Sequence, residues 1–431
     1  MIPDPGPNDA KSASGPQKSI DDPRPGEFQL FPNRRVSWAD APNEWSELAA
    51  ARRRSGLPLL DLTISNPTLA GLGDTELPLH LAFASAPSFA YNPNPQGALA
   101  AREAVASWYA DRLPLAPSVS LNPDEILLTA SSSESDAFLF QALGEPCDEV
   151  LAPLPSYPLF EYLAGLNGVR LGFYRLAYHG EWQIDFDLLA RTITPRTRAV
   201  VVVNPNNPTG SYIREAEKLH LLEICAAHRL VLIADEVFEE FPLVANGPRS
   251  SFSARQRQAP CISLGGLSKS AGLPQMKLGW MLLNGPEAAL SALRERLLLV
   301  ADTYLSVSTP VQAALPALLE FGRSVGGQIR SRVAANYGFL REAVAAAPHL
   351  SALPVEGGWN AVLRLPGILT DAQWCAGLIR EAGVLAQPGY LYDFEEEAML
   401  VLSLLTNPAI FEPGVEQLCA HAEGVARGVA P

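Results

Sequence analysis

Cysteine is scarce: its five copies, Cys147, Cys225, Cys261, Cys375 and Cys419, are widely spaced, odd in number and never arranged as CxxC. That pattern excludes a disulfide framework and a zinc ribbon, and it predicts reduced thiols in a cytoplasmic protein. Positive charge is short as well: 32 Lys and Arg stand against 46 Asp and Glu, a net charge of −14. Phosphate backbones and anionic lipids would repel such a chain, which argues against nucleic-acid and membrane partners. No apolar run reaches the roughly 18 residues that read as a membrane span. The six His form no HExxH, so no metal site is expected. Residues 1–27 are rich in Pro, Gly, Ser and charge and lack the apolar h-region of a secretory signal. They read as a disordered arm, with Phe28 and Phe31 able to pin it to a folded body.

What is present is a large apolar complement, 48% of 431 residues, enough for more than one core. Residues 125–129, 149–152, 199–203, 230–234 and 261–264 are short apolar runs, most ending at a polar or turn residue, as buried parallel strands do. Helical spacing lies between several of them, as in Leu219, Leu222 and Ala226, or Leu290, Leu293, Leu297 and Val300. The expected fold class is α/β, a mostly parallel sheet covered by helices, with a smaller α/β domain beside it. Residues 61–322 form the expected large domain. A long connecting helix at 323–347 then leads into a C-terminal small domain, with strands at 359–365 and 399–405 around a helix at 370–382. Residues 28–60 are expected to join that small domain, whose C-terminal part runs from 323 to 431.

Ligands of open α/β sheets sit at the carboxyl ends of the strands. The residues that follow the strands here are Ser131–Ser133, Pro155–Tyr157, Asn204–Gly210, Asp235 and Ser268–Lys269. They supply hydroxyls, a ring, an amide, a carboxylate and an amine, with no Ser–His–Asp set and no phosphate-cradling GxxxxGK[ST]. GLGDTE at 71–76 lacks a third Gly and is a weak dinucleotide signal.

Five motifs, in order, carry a resemblance: YNPNPQGALAAREAVA (91–106), LPSYPLFEY (154–162), VVVNPNNPTG (201–210), IADEVF (233–238) and LSKSAGLPQMKLGW (267–280). Together they resemble the class I/II aminotransferases, the pyridoxal-phosphate enzymes of the aspartate-aminotransferase fold, over residues from about 58 to about 408. The resemblance implies transfer of an amino group between an amino acid and a 2-oxo acid, through a Schiff base on Lys269. It assigns Asp235 to the pyridine nitrogen, Asn207 to the 3′ oxygen, and Ser131, Ser132, Ser133, Ser268 and Lys277 to the phosphate. Tyr157 would stack on the ring, and Tyr91 would reach a neighbouring subunit's phosphate, which implies a homodimer with shared sites. The residue types suit those roles. Small neighbours around Lys269 leave an amine room to meet an aldehyde. A carboxylate ending a buried strand needs a cation, and serines at a helix start make an anion site.

The chain also departs from the family pattern. Phe238 stands where Tyr is frequent, Lys277 where Arg is usual, and Gly266 where a phosphate-binding Ser is common. Val401 falls at the position of the Arg that relatives use for the substrate carboxylate, and residues 381–426 hold neither Arg nor Lys. Arg364, with Asn360 on the same strand face, is the expected replacement, and the Asn66 loop or Arg34 and Arg35 come next. Two other functions share these motifs: a carbon–sulfur lyase acting by β-elimination, and a non-catalytic sensor module. The acidic, Pro-rich first 60 residues make a poor DNA-binding head for the latter.

Overall fold

A computed structural model of the chain describes residues 43–73, 82–84, 93–110, 121–244, 247, 249–253, 256–305 and 307–428. After helix α1 (Glu44–Arg54) and the two-residue strand β1 (Leu60–Asp61), the chain builds one large sheet. Its strands are β2 (Ile126–Thr129), β3 (Glu149–Leu154), β4 (Arg170–Tyr178), β5 (Trp182–Ile184), β6 (Thr197–Val203), β7 (Val231–Asp235), β8 (Cys261–Gly266) and β9 (Gly279–Asn284). In space they run β2-β9-β8-β7-β6-β3-β4-β5. The stretch β8-β7-β6-β3-β4 is parallel, β9 runs antiparallel between β2 and β8, and β5 returns against β4 as a hairpin.

Side chains alternate across a strand, and here both faces are buried. Val201 and Val203 of β6 pack with Phe138, Phe140 and Leu297 on one face. Val200 and Val202 pack with Leu221, Leu222 and Cys225 on the other. Helices therefore cover both sides of the sheet, which leaves its carboxyl edge as the open place.

Helix Thr309–Ala345 runs 37 residues, about 55 Å at 1.5 Å per residue. It begins earlier than the 323 expected from the sequence and carries Pro316 in its interior. A buried stripe of Leu315, Leu318, Gly322, Val325, Ile329, Val333 and Leu340 holds it in place. Gly322 permits a close approach: a Cβ there would lie 2.5 Å from the Ala271 Cβ. The helix backbone thus rests against the segment that carries Lys269.

Beyond it, β10 (Ser351–Ala352), β11 (Asn360–Arg364), β12 (Val384–Leu385), β13 (Gln387–Pro388) and β14 (Met399–Ser403) complete the strands. Four of them form an antiparallel sheet in the order β10-β11-β14-β13, and β12 pairs in parallel with β1. The helix expected at 370–382 is α-helical over Asp371–Gly377 and continues as a π-helical turn over Leu378–Ala382.

Candidate active site

The ends of β2, β6, β7 and β8 meet around a cavity of about 350 Å³. Its wall contains Ser131, Ser132, Ser133, Tyr157, Asn207, Asp235, Ser268, Lys269 and Lys277, together with Phe238 and Gly266. The serines open helix Ser132–Leu143. Ser131 is the N-cap, its Oγ accepting from the Glu134 N–H at 3.1 Å, while the Glu134 carboxylate accepts from the Ala130 N–H at 2.5 Å. Ser132 and Ser133 therefore occupy the first turn, where a helix leaves N–H groups without carbonyl partners. Gly279 of β9 lies directly beneath: a Cβ there would come within 3.0 Å of the Ser131 carbonyl carbon.

Asp235 closes β7, its Oδ1 accepting from the Val237 N–H at 3.1 Å. Burial pushes its carboxyl up to about 6; that hydrogen bond and the Lys269 charge pull the other way. Lys269 sits on a one-turn helix, Leu267–Ser270, after β8. Burial lowers its amine below the usual lysine range, partly offset by Asp235. The Lys269 Nζ lies 5.3 Å from the centroid of the Phe238 ring and 5.0 Å from that of Trp359. A buried acid and a buried amine, each pushed toward its neutral form, face the same space.

The NPNNPTG turn is tied down by Asn206, whose Nδ2 donates to the Pro155 carbonyl and whose Oδ1 accepts from Thr209. This leaves Asn207 at the wall, its Oδ1 accepting from Asn360 Nδ2 at 2.6 Å. Tyr157 is 43% exposed and forms part of the rim. Lys277 adopts a left-handed backbone, φ 51°, an unusual conformation for a residue with a side chain. Gly266 faces Gly279 across the β8–β9 ladder, and a Cβ there would lie 3.1 Å from the Gly279 Cα. The serine frequent at this position elsewhere would be crowded here by backbone.

Two expectations fall elsewhere. Arg364 does not line the cavity: it pairs with Glu396 at 2.6 Å, and its guanidinium lies 5.6 Å from the Tyr178 ring. The reason is reach, since four residues of strand carry it about 13 Å past Asn360. Asn66 is also absent from the wall; its Oδ1 caps a turn by accepting from the Thr68 N–H and Oγ1. Tyr91, Arg34 and Arg35 lie outside the described residues. Val401 is fully buried, opposite Val362 and Gln387, in an apolar cluster with Trp182 and Tyr392.

Three further residues stand near these groups. Trp359 is 1% exposed and meets the Phe238 ring edge-on at 4.8 Å, with an interplanar angle of 83°. Asp136 is 3% exposed with no hydrogen-bond partner for Oδ1, and burial, helped by the Asp235 charge, holds it well above the usual carboxylate range. An aspartate one helical turn beyond Ser132 and Ser133 was the available signal. Glu236, buried next to Asp235, accepts from Asn204 Nδ2, the Phe252 and Ser253 N–H groups and the Ser263 hydroxyl. The donor set suits a flat aromatic ring carrying an anionic tail, a basic ring nitrogen and an aldehyde.

A family model described as aminotransferase class I and II matches residues 60–406. The chain is 28% identical over 372 residues to an alanine aminotransferase of Mycobacterium tuberculosis, covering 84% of this chain and 79% of that protein. It is 30% identical over 264 residues to the glutamate-pyruvate aminotransferase AlaA of Escherichia coli, covering 61% of this chain and 64% of the relative. A segment covering 53% of this chain is 31% identical to the S-alkyl-thiohydroximate lyase SUR1 of Arabidopsis thaliana and spans 49% of it. Among solved structures, an alanine aminotransferase from Pyrococcus furiosus superposes with a TM-score of 0.82 at 24% identity, over 90% of this chain and 99% of that one.

Proposed function

The chain belongs to the class I and II aminotransferases and is a pyridoxal-phosphate-dependent transaminase; from that premise we propose that the cavity around Lys269 is where an amino acid and a 2-oxo acid exchange their amino group. One observation carries this reading: Lys269, Asp235, Asn207 and the Ser131–Ser133 helix start converge on a single cavity. Bound there, the cofactor supplies an electron sink for charge at the substrate's reacting carbon. Asp235 would hold the cofactor's ring nitrogen in its protonated form. Ser131, Ser132, Ser133, Ser268 and Lys277 would hold the phosphate, Lys277 as a point charge rather than a fork. Asn207 would offer its amide N–H to the cofactor's 3′ oxygen, and Tyr157 would pack against its ring. Lys269 would be the amine that anchors the cofactor, and its nitrogen would move a proton at the substrate's reacting carbon.

Residues 61–322 act as the cofactor domain, and the N- and C-terminal parts act as the smaller one. The working unit is a homodimer, with Tyr91 serving the neighbouring site. Five free cysteines support a reducing, cytoplasmic setting. Among the described residues no helix is long and apolar enough to cross a membrane.

The test is a two-step assay on the full-length protein loaded with pyridoxal phosphate. Single amino acids should convert the bound cofactor to its amine form, and a 2-oxo acid should restore it. Release of a thiol or ammonia with no need for a 2-oxo acid would instead favour the lyase chemistry named for the Arabidopsis relative.

A further inference from the structure

We propose that Trp359, acting with Phe238, is a positioning residue for Lys269: two aromatic faces hold its nitrogen in the cavity and favour the protonated form. The inference rests on Lys269 being the cofactor-bearing lysine. The Lys269 Nζ lies 5.0 Å from one ring centroid and 5.3 Å from the other, inside the range at which a cation is attracted to a ring face. The rings themselves meet edge to face, so their faces point in different directions and form a corner rather than a stack.

That corner is fixed from behind. Trp359 packs against Phe241 at 5.3 Å, its carbonyl accepts from the Leu404 N–H, and the Gly358 N–H donates to the Phe241 carbonyl. Gly358 takes a left-handed φ of 73°, which turns the chain so that Trp359 enters the core just before β11. A leucine would keep this spot apolar, although its smaller side chain leaves a cavity behind the site. What leucine cannot supply is a negative ring face toward a nitrogen.

The need for such a face follows from the surroundings of the amine. Burial works against the ammonium form, and Asp235 at the end of β7 works for it. The other titratable groups on the cavity wall are Tyr157 and Lys277, and Lys277 carries the same sign as the ammonium. Two ring faces strengthen the cationic side of this balance without a directional hydrogen bond, so the nitrogen can still swing between cofactor and substrate.

The experiment uses full-length protein loaded with pyridoxal phosphate. The pH midpoint of the absorbance change of the bound chromophore is followed, since it reports the proton on the Lys269 nitrogen. Trp359→Leu should retain the cofactor and move the midpoint down by about one unit. Trp359→Phe, which keeps a ring, should restore most of the difference. If Trp359→Leu does not fold, Phe238→Leu removes the second face and should shift the midpoint the same way. A loaded variant whose midpoint stays within about 0.2 unit of wild type would overturn the inference alone. A wild-type protein that takes up no cofactor would overturn the reading of Lys269, and this inference with it.

Discussion

Asn360 Nδ2 donates to Asn207 Oδ1 at 2.6 Å, joining two residues 153 positions apart in the chain. This bond decides which end of the Asn207 amide faces the cavity. With its oxygen committed to Asn360, Asn207 presents its N–H groups, the polarity needed toward an anionic ring oxygen.

Asn360→Ala frees the Asn207 amide to rotate. The expected loss is that of one buried hydrogen bond, about 1–2 kcal/mol, or roughly 5- to 30-fold weaker binding of pyridoxal phosphate. Titration of the cofactor-free protein with pyridoxal phosphate measures it, and unchanged affinity would show that the bond does not matter.

Asp235 gives a pH dependence whose sign can be worked out. Its folded pKa, about 6, stands above the ordinary 3.8. Its contribution to stability is therefore complete below about pH 4 and is lost as pH rises through 6. Without cofactor, the ionised carboxylate costs the folded protein up to about 3 kcal/mol, two pKa units at about 1.4 each. Asp235→Asn should thus be the more stable protein at pH 8 in cofactor-free form. Its advantage should shrink by about 1–2 kcal/mol toward pH 5 in urea titrations. A gap that does not change with pH would place the Asp235 carboxyl in solvent contact instead.

Arg364→Ala separates geometry from sequence expectation. A substrate clamp would cost roughly 10²-fold in KM. With Arg364 tied to Glu396, itself 62% exposed, the expected change in KM is less than about threefold, and stability should fall by under about 1 kcal/mol. A rise of 10²-fold in KM for amino acid and 2-oxo acid alike would return Arg364 to the substrate site.

The cavity wall was legible because its residues follow strands in local motifs, and strand ends are where such sheets bind ligands. Lys269, Asp235 and Asn207 each stand within a few residues of an apolar run that names its own strand. β9 and the β4–β5 edge were harder to see. Arg170, Phe173 and Arg175 of β4 are exposed, so that strand lacks a continuous apolar signature. The start of the long helix was obscured by Pro316, which speaks against helix in a sequence although packing overrides it here; Pro310 lies in the first turn, where proline is tolerated. The nearness of Trp359 to Lys269 could not be read from the sequence, because core aromatics look alike until a fold brings one of them to a lysine. Arg364 was misplaced for a related reason: period two sets the face of a strand, and distance along it decides what that face meets.

The central claim is that Lys269 carries the cofactor, and covalent trapping tests it most directly. Full-length protein incubated with pyridoxal phosphate is reduced with borohydride, digested and mapped by mass spectrometry. The expected result is one phosphopyridoxyl group per chain, on the peptide containing Lys269, and none in Lys269→Ala. A label on Lys277 or another lysine, or no label after full reconstitution, would contradict it.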